Sequence, residues 1–435
     1  MADVVFPDSL WAAVTPPLPP GPPLTADADC DTVVIGAGFT GLSAALELAR
    51  TGQRVIVLEA KAVGWGASGR NNGQVIPTLT AAEPRAMVAR WGAAGERFVR
   101  LVGNSAAVLF DIARREGIEA GAEAEQTGWF QPAHAPDRMA LSRSRVEAWQ
   151  SFGFPARLLD RAEATALLGT DFWHGGMLNP TGGHINPLGL ARGLARAARS
   201  HGATIHETTP VAGFVHDGAG WTVTTTAGPK VRARQLILAT NTYTGEIVPR
   251  LAARLARTIV PVLSWQMATP PIPDNLRATI LPGRQAVSDT RGDLRFFRYD
   301  ARNRLVTGGA IMGGPDKARR VAAKAGRALA EAYPQLAGVH MTHVWSGYIG
   351  MTWDRFPRVH RLGPDGWTWI GCNGRGVALG VSLGRELARA IAGTPVDQLA
   401  LPVSDPRPLP AHPVARRVAP GYLAWLRRKD LKPLK

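Results

Sequence analysis

Three glycines near the start of the chain have the spacing of a dinucleotide-binding turn. The segment VVIGAGFTG places Gly36, Gly38 and Gly41 in the order G-x-G-x-x-G, directly after an apolar stretch that predicts a buried strand. In such a turn the first glycine allows the chain to turn sharply at the end of the strand, and the second lets the backbone approach a pyrophosphate. The third lets the following helix pack on the strand, and the N-terminus of that helix faces the phosphates.

An acidic residue completes this pattern at the end of a second apolar strand, QRVIVLEA. Glu59 follows Gly41 by 18 residues, a distance at which a carboxylate reaches a ribose hydroxyl. A 2′-phosphate would be repelled by that carboxylate. These residues alone do not separate NAD from FAD.

The loop after the second strand favours FAD. Its sequence, GWGASGRNNGQVIP at residues 64–77, is rich in glycine and in side chains that form hydrogen bonds. A nicotinamide dehydrogenase does not need such a loop there. A flavin would run on past the second strand and would need backbone close to its ring, so the loop predicts a flavin contact.

Two later segments extend the expected cofactor site. ILATNTYTG ends an apolar strand with small and polar residues, Ala239, Thr240 and Asn241, over which a dinucleotide can pass. GCNGRGVAL precedes a helix near the C-terminus. The N-terminus of that helix would stabilise negative charge on a reduced flavin.

Composition limits the class of protein. The chain has 435 residues, 45% of them hydrophobic and 19% charged, which is ordinary for a globular protein. Two cysteines, Cys30 and Cys372, give no disulfide framework and favour the cytoplasm. No Cys or His spacing predicts a metal site. We expect neither a secretory leader nor a membrane span, because the start of the chain is proline-rich and lacks an apolar core.

The elements around these motifs predict an α/β protein in which two domains are interleaved. One is a Rossmann-like FAD-binding domain, and the other is an α+β substrate domain built on an antiparallel sheet. The predicted ranges are 1–29 for an extended arm, 30–80, 156–245 and 341–400 for the FAD-binding domain, 81–155 and 246–340 for the substrate domain, and 401–435 for a tail with a basic helix.

Motifs spread over nearly the whole chain resemble the D-amino-acid oxidase superfamily of FAD enzymes. They are DSLWAA, VVIGAGFTGLSAALELA, VIVLEA, GWGASGRNNGQV, GGHINPL, LILATN, VWSGYIGMTWDRFPRV and GCNGRGVALGVSLGRELA. The chain is most similar to the γ-glutamylputrescine oxidoreductase-like branch, which includes glycine and sarcosine oxidase relatives. This resemblance implies a flavin fold, a substrate domain whose sheet covers the flavin, and oxidation of a C–N bond in an amine.

The motifs and the resemblance together predict a set of cofactor-binding residues. The set is Gly36, Gly38, Phe39, Thr40, Gly41, Glu59, Ala60, Gly66, Ala67, Ser68, Asn71, Asn72, Gly73, Gln74, Val211, Ala239, Thr240, Asn241, Gly347, Gly374, Arg375, Gly376, Val377 and Ala378. Some relatives attach the flavin through a Cys or His. This chain has none at the matching positions, so we expect non-covalent FAD.

Four residues are predicted to act on the substrate side: His184, Arg298, Trp345 and Tyr348. Arg298 is the candidate clamp for a substrate carboxylate. Each has a structural alternative, because a Trp in a strand is commonly core, a His after Gly-Gly commonly stabilises a turn, and an Arg in a strand is commonly exposed. Trp129, Trp265 and Trp353 are further candidates, since aromatic cages suit cationic amines.

The acceptor and the partners stay open at this level. The expected reaction passes a hydride to flavin N5 and leaves an imine that hydrolyses, with O2 reduced to H2O2. A lysine that activates oxygen in some relatives has no obvious match, so a dehydrogenase using quinone or another acceptor is the alternative. The net charge of +16 is scattered, so a nucleic-acid partner is not favoured. The basic segment YLAWLRRKDLK could instead contact a membrane surface. The sequence predicts no oligomeric state.

Overall fold

A computed structural model describes residues 4–79, 82–310, 315–419 and 421. Its helices are α1 (Leu10–Val14), α2 (Phe39–Arg50), α3 (Pro84–Trp91), α4 (Ala93–Arg115), α5 (Arg138–Gln150), α6 (Arg161–Leu168), α7 (Pro187–Ser200), α8 (Thr244–Ile247), α9 (Ala253–Ala256), α10 (Asp274–Arg277), α11 (Lys317–Ala332) and α12 (Gly376–Ile391). Its strands are β1 (Ala28–Ile35), β2 (Val55–Leu58), β3 (Gln74–Val75), β4 (Trp129–Pro132), β5 (Arg157–Leu159), β6 (Gly176–Asn179), β7 (Gly183–His184), β8 (Thr204–His206), β9 (Val211–His216), β10 (Trp221–Thr225), β11 (Lys230–Leu238), β12 (Val260–Pro271), β13 (Ala286–Ser288), β14 (Phe296–Tyr299), β15 (Arg304–Gly309), β16 (His343–Met351), β17 (Arg358–Gly363), β18 (Gly366–Ile370) and β19 (Val403–Ser404).

The first large sheet carries the predicted dinucleotide turn. Its nine strands have the order β19-β17-β18-β11-β1-β2-β8, and β10 and β9 extend from β11 as an antiparallel hairpin. The five strands from β18 to β8 are parallel. Their carboxyl ends therefore lie at one edge, where Gly36, Glu59 and Ala239 follow their strands. In open parallel sheets this edge is where ligands bind.

Alternating side chains cover the two faces of this sheet. Val34 and Val57 belong to a large core with helices α2, α4, α7 and α12. Val33 and Ile56 point to the other face, into a second core that includes the β9–β10 hairpin. Because both faces are buried, the strands read as continuous apolar runs in the sequence.

The second large sheet has eight strands in the order β16-β12-β15-β14-β13-β4-β6-β5. Every neighbouring pair is antiparallel except β13 with β4. The predicted α/β class and the antiparallel second sheet are confirmed. Three of its strands, β5, β6 and β16, lie within ranges that the sequence assigned to the FAD-binding domain. β6 and β16 join this sheet by pairing with β4 and β12, and β5 joins it through β6.

A two-stranded sheet and the N-terminal arm meet at the loop of residues 64–77. Gln74 pairs with His184 and Val75 with Gly183 in the β3–β7 pair. In the arm, Trp11 is fully buried beside Trp345, with ring centroids 6.0 Å apart in an edge-to-face arrangement. The arm therefore packs on the body of the protein.

The C-terminal tail is described only in part. Residues 412–419 are helical, and Arg416 pairs with Glu246 at 2.9 Å. The segment YLAWLRRKDLK, predicted to form an interfacial helix, lies outside the described residues. Within the described ranges, no helix combines the length and apolar character that crossing a bilayer requires.

Candidate functional site

A cavity of about 760 Å³ is lined both by the carboxyl ends of the parallel strands and by the antiparallel sheet. Every residue of the predicted cofactor set lines it except Gly41 and Ala378. A Cβ atom on Gly41 would lie 2.0 Å from the carbonyl oxygen of Gly36, so Gly41 allows α2 to pack on β1. Ala378 lies in the core at 1% exposure, which corrects its predicted contact with the cofactor.

The turn between β1 and α2 has the backbone that its glycines predict. Gly36 has a φ of +105°, which L-residues rarely adopt. Its N–H donates to Leu58 O at 2.8 Å, which ties the turn to the end of β2. A side chain on Gly36 would meet Ala239 at 3.3 Å, so the carboxyl ends of three strands converge here.

Ser68 connects the loop of residues 64–77 to this turn. Its hydroxyl accepts a hydrogen bond from the N–H of Phe39, the first residue of α2, at 3.0 Å. A Cβ atom on Gly38 would lie 2.8 Å from the same hydroxyl oxygen. The missing side chain of Gly38 thus lets the loop reach the helix N-terminus.

Glu59 lies at the end of β2 with both carboxylate oxygens facing backbone amides. Oε2 accepts from Ala37 N at 2.8 Å, and Oε1 accepts from Lys61 N at 2.9 Å. Burial raises the pKa of the Glu59 carboxyl, whereas these two amides act in the opposite direction. A carboxylate has about four acceptor sites, so acceptor capacity remains for a ligand hydroxyl.

Arg375 brings positive charge to the other end of the cavity. It is the N-cap residue of α12, and its guanidinium lies 5.5 Å from the ring centroid of Trp129. Burial lowers the pKa of Arg375 to about 10, which still leaves it charged at neutral pH. Its Nε atom is buried without a hydrogen-bond partner among the described residues. The helix N-terminus and this cation together favour an anionic ligand.

Of the four predicted substrate-side residues, Tyr348 alone lines the cavity. Its ring lies 5.9 Å from the ring of Tyr243, and its N–H lies 3.4 Å from the Tyr243 hydroxyl. The structure does not bring His184, Arg298 or Trp345 to the cavity wall. Their side chains instead form hydrogen bonds to backbone carbonyls within the protein.

The position of Arg298 corrects its predicted role as a carboxylate clamp. Its guanidinium is fully buried and donates to three backbone carbonyls: Asn72 O at 2.7 and 2.9 Å, Tyr299 O at 2.9 Å and Ile185 O at 2.8 Å. Because all three of its nitrogens already donate to backbone carbonyls, the Arg298 side chain stabilises the backbone around it.

Two tryptophans of the predicted set also serve as structural donors. Trp345 is 3% exposed, and its Nε1 donates to Arg70 O at 2.8 Å. Trp129 donates to the hydroxyl of Ser288 at 2.8 Å. Trp353 does line the cavity and is 74% exposed, which places it at the rim, whereas Trp265 does not line it.

His184 lies in β7, buried to 1% exposure, with Nε2 3.0 Å from Arg284 O. Burial lowers the pKa of His184 well below 6.5, and the charges of Arg298 and Arg284 add to this effect. Glu125 lies 3.7 Å from the same ring nitrogen, but Arg284 already binds both of its carboxylate oxygens. The imidazole is therefore neutral and acts in packing.

This neutral histidine predicts a pH dependence of stability. Its folded-state pKa lies below that of the unfolded chain, so as the pH falls below about 6.5 the unfolded state takes up the proton first. The free energy of unfolding should fall on that side. In thermal melts between pH 7.5 and pH 5, a His184→Gln variant should lose part of the dependence. Identical slopes in the two proteins would contradict this.

Among the residues of the cavity wall that sequence reasoning missed, three form a polar and aromatic group: Trp65, Arg70 and Tyr243. The guanidinium of Arg70 lies 4.1 Å from the Trp65 ring centroid and 5.9 Å from that of Tyr243. Its Nε donates to Trp65 O at 2.7 Å, while its Nη2 is buried without a partner among the described residues. All three lie inside the quoted motifs GWGASGRNN and NTYT, but Tyr243 is far from Arg70 in the sequence, so only the fold brings the three side chains together.

These features fit FAD. The turn at Gly36 lacks the Cβ atoms that would fill it, and the cavity continues past it to the antiparallel sheet. Arg375 supplies a buried cation, while Leu263, Phe296 and Ile349 supply apolar wall for a ring. Within the described ranges, no cluster of three His, Cys, Asp or Glu side chains could hold a metal ion.

Comparison with known proteins shows which family of enzymes the chain is similar to. A model of the DAO family, described as FAD dependent oxidoreductase, matches residues 31–390. Probable oxidoreductase OrdL of Rhizobium meliloti (strain 1021) is 32% identical over 389 residues, 88% of each protein. Gamma-glutamylputrescine oxidoreductase of Escherichia coli (strain K12) is 30% identical over 393 residues, 88% of this chain and 89% of that protein. Glycine oxidase from Geobacillus kaustophilus has a similar fold, with a TM-score of 0.69 and 20% identity over 83% of this chain and 95% of that one.

Proposed function

Because this chain belongs to the DAO family of FAD-dependent oxidoreductases, we propose that it oxidises the C–N bond of a small amine or amino-acid derivative. One observation carries the proposal. A single cavity is lined both by the dinucleotide turn at Gly36 and by the antiparallel strands β12 and β16. A cofactor bound along the turn would thus share one enclosed space with a substrate held against that sheet.

The reaction balances without a strong acid or base. Bound FAD supplies a hydride acceptor. The substrate loses a hydride from its α-carbon and a proton from nitrogen to solvent, and water hydrolyses the resulting imine to a carbonyl compound and ammonia or an amine. The protein orients the substrate against Tyr348 and excludes water with Leu263, Phe296 and Ile349.

We propose that FAD is held without a covalent bond. Cys372 lines the cavity, but burial raises the pKa of its thiol, so the reactive thiolate is disfavoured. Denaturation of the purified protein with trichloroacetic acid should release all of the flavin into the supernatant. A protein pellet that stays yellow and fluorescent would contradict this assignment.

The positive charge of Arg70 at the cavity wall supports one class of amine as the substrate. Arg70 has a buried cationic nitrogen without a partner among the described residues, and burial lowers the pKa of its guanidinium. Such a cation favours a substrate that carries a carboxylate, because a paired carboxylate would offset the cost of burying the charge. We therefore propose an amino acid or a γ-glutamyl amine in preference to a simple diamine.

The direct test is anaerobic bleaching of the flavin absorption band by a panel of amines. The panel contains putrescine, γ-glutamylputrescine, sarcosine, glycine and D-amino acids. Bleaching should occur with one class that carries a carboxylate. Failure of every amine to bleach the band of an FAD-loaded protein would overturn the proposal and would leave modified RNA as the next substrate to try.

Admission of air to the bleached protein decides the acceptor. Rapid recovery of the band with formation of H2O2 indicates an oxidase. Slow recovery that a quinone or an artificial dye accelerates indicates a dehydrogenase.

For the cellular site we propose the cytoplasm, because the two cysteines are not paired with each other and both are free thiols.

A further inference from the structure

Three successive carbonyls of the loop of residues 64–77 are each held by a buried side chain. Trp345 Nε1 donates to Arg70 O at 2.8 Å, and Trp11 Nε1 donates to Asn71 O at 2.9 Å. Arg298 donates to Asn72 O with two nitrogens, at 2.9 and 2.7 Å. We call Trp11, Trp345 and Arg298 the carbonyl clamp.

The clamp joins parts of the chain that are far apart in sequence. Trp11 lies in α1 of the arm, Trp345 in β16 and Arg298 in β14. The three side chains also contact one another: the two indoles pack edge to face, and the guanidinium lies 4.7 Å from the Trp11 ring centroid. The loop is therefore bound from one side by a preassembled group of donors.

The geometry of the peptide bond determines which groups lie on the side of the loop opposite the carbonyl clamp. All peptide bonds of the described residues are trans, so the C=O of one residue and the N–H of the next point in opposite directions. The N–H of Asn71 thus points away from Trp345, and the N–H of Asn72 points away from Trp11. Neither N–H has a hydrogen-bond partner in the described part of the chain, and both residues line the cavity.

The third peptide unit, between Asn72 and Gly73, has both of its polar groups bound within the protein. While Arg298 holds Asn72 O, the N–H of Gly73 donates to Asn71 Oδ1 at 2.8 Å. The amide nitrogen of the Asn71 side chain donates back to Ala67 O and Ser68 O. The side chain of Asn71 is thereby occupied within the loop, so its backbone N–H is the group left for a ligand.

We propose that the carbonyl clamp consists of positioning residues that aim the N–H groups of Asn71 and Asn72 at the bound flavin as a donor pair. The pair would donate to an electron-rich atom of the flavin. Such donors stabilise the reduced flavin more than the oxidised one, because reduction adds negative charge. Without the clamp these peptide units can rotate in the apoprotein, and binding must then reorder them.

Indole-to-phenyl substitutions test this, since Trp11→Phe and Trp345→Phe keep an aromatic ring and remove the N–H. Trp221→Phe is the matched control: Trp221 is 3% exposed, donates to Pro364 O at 2.9 Å and lies outside the cavity. For each variant we would titrate apoprotein with FAD, measure the midpoint potential of the bound flavin, and record apoprotein melting. No amine is needed, so the result is independent of the proposed substrate.

We expect each clamp variant to bind FAD about tenfold more weakly, the order of one lost hydrogen bond to a buried carbonyl. The midpoint potential of the bound flavin should fall in both clamp variants and stay unchanged in Trp221→Phe. Unchanged FAD affinity and potential, with melting lowered only as in the control, would overturn the proposal. If one Trp variant does not fold, the other gives the same readouts and the same decision, because each indole holds the carbonyl of one of the two peptide units.

Discussion

A Gly73→Val variant is expected to purify without its yellow cofactor. Gly73 has a φ of +86°, and a Cβ atom there would lie 2.1 Å from Ile185 O and 2.4 Å from Arg298 Nη2. Neither neighbour can move freely, because the carbonyl accepts from the same guanidinium. The backbone must shift instead, and the loop that we predict to contact the flavin shifts with it. FAD affinity should fall by about a hundredfold or more.

Gly52→Val is the matched control for this effect. Gly52 has nearly the same φ, +83°, but nothing lies within 4 Å of the position of a Cβ atom. The control therefore carries the backbone strain without the collision. Flavin content after purification, together with far-ultraviolet circular dichroism, separates loss of FAD from loss of the fold. A folded Gly73→Val protein with normal flavin content would refute the placement of the loop.

Replacement of Arg70 with methionine is expected to change which amines the enzyme accepts. The side chain of Arg70 brings to the cavity wall a buried cationic nitrogen, Nη2, that has no hydrogen-bond partner among the described residues, while its carbonyl stays held by Trp345. Methionine keeps much of the apolar stem and removes the charge. For substrates with a carboxylate, KM should rise by about a hundredfold, as expected for a lost charge-assisted hydrogen bond. For amines without a carboxylate, KM should change little.

Arg277→Met controls for the loss of a stacked arginine. Arg277 lies 5.1 Å from the Tyr299 ring centroid and outside the cavity. Its replacement should leave the kinetic constants of both substrate classes unchanged. If Arg70→Met raises KM equally for substrates with and without a carboxylate, Arg70 does not bind the substrate carboxylate.

The cofactor side of the cavity could be predicted because its signals are local. Gly36, Gly41 and Glu59 owe their positions to one strand–turn–helix–strand unit, and each chemical requirement falls at a fixed spacing. The loop at Ser68 and Gly73 was recognisable for the same reason, since it follows directly after the second strand. The structure brings all of these residues except Gly41 to the wall of one cavity.

The substrate side could not be predicted in the same way. An indole N–H or a guanidinium suits a ligand and a backbone carbonyl equally well, so residue type does not decide between them. For Trp345 and Arg298 the choice depends on the arm and on the β3–β7 pair, which are distant in sequence. Arg70 was passed over because it lies among residues read as cofactor contacts.

The sheet that carries the dinucleotide turn has a consequence for biosynthesis. Thr32 of β1 pairs with Gln235 of β11, and Leu236 of β11 pairs with Gly366 of β18. Such pairings between distant segments give a high contact order, which slows folding. A ribosome-bound chain that ends before β18 and α12 lacks the part of the cavity around Arg375. We therefore expect capture of the flavin to be a late step, completed after most of the chain has been synthesised.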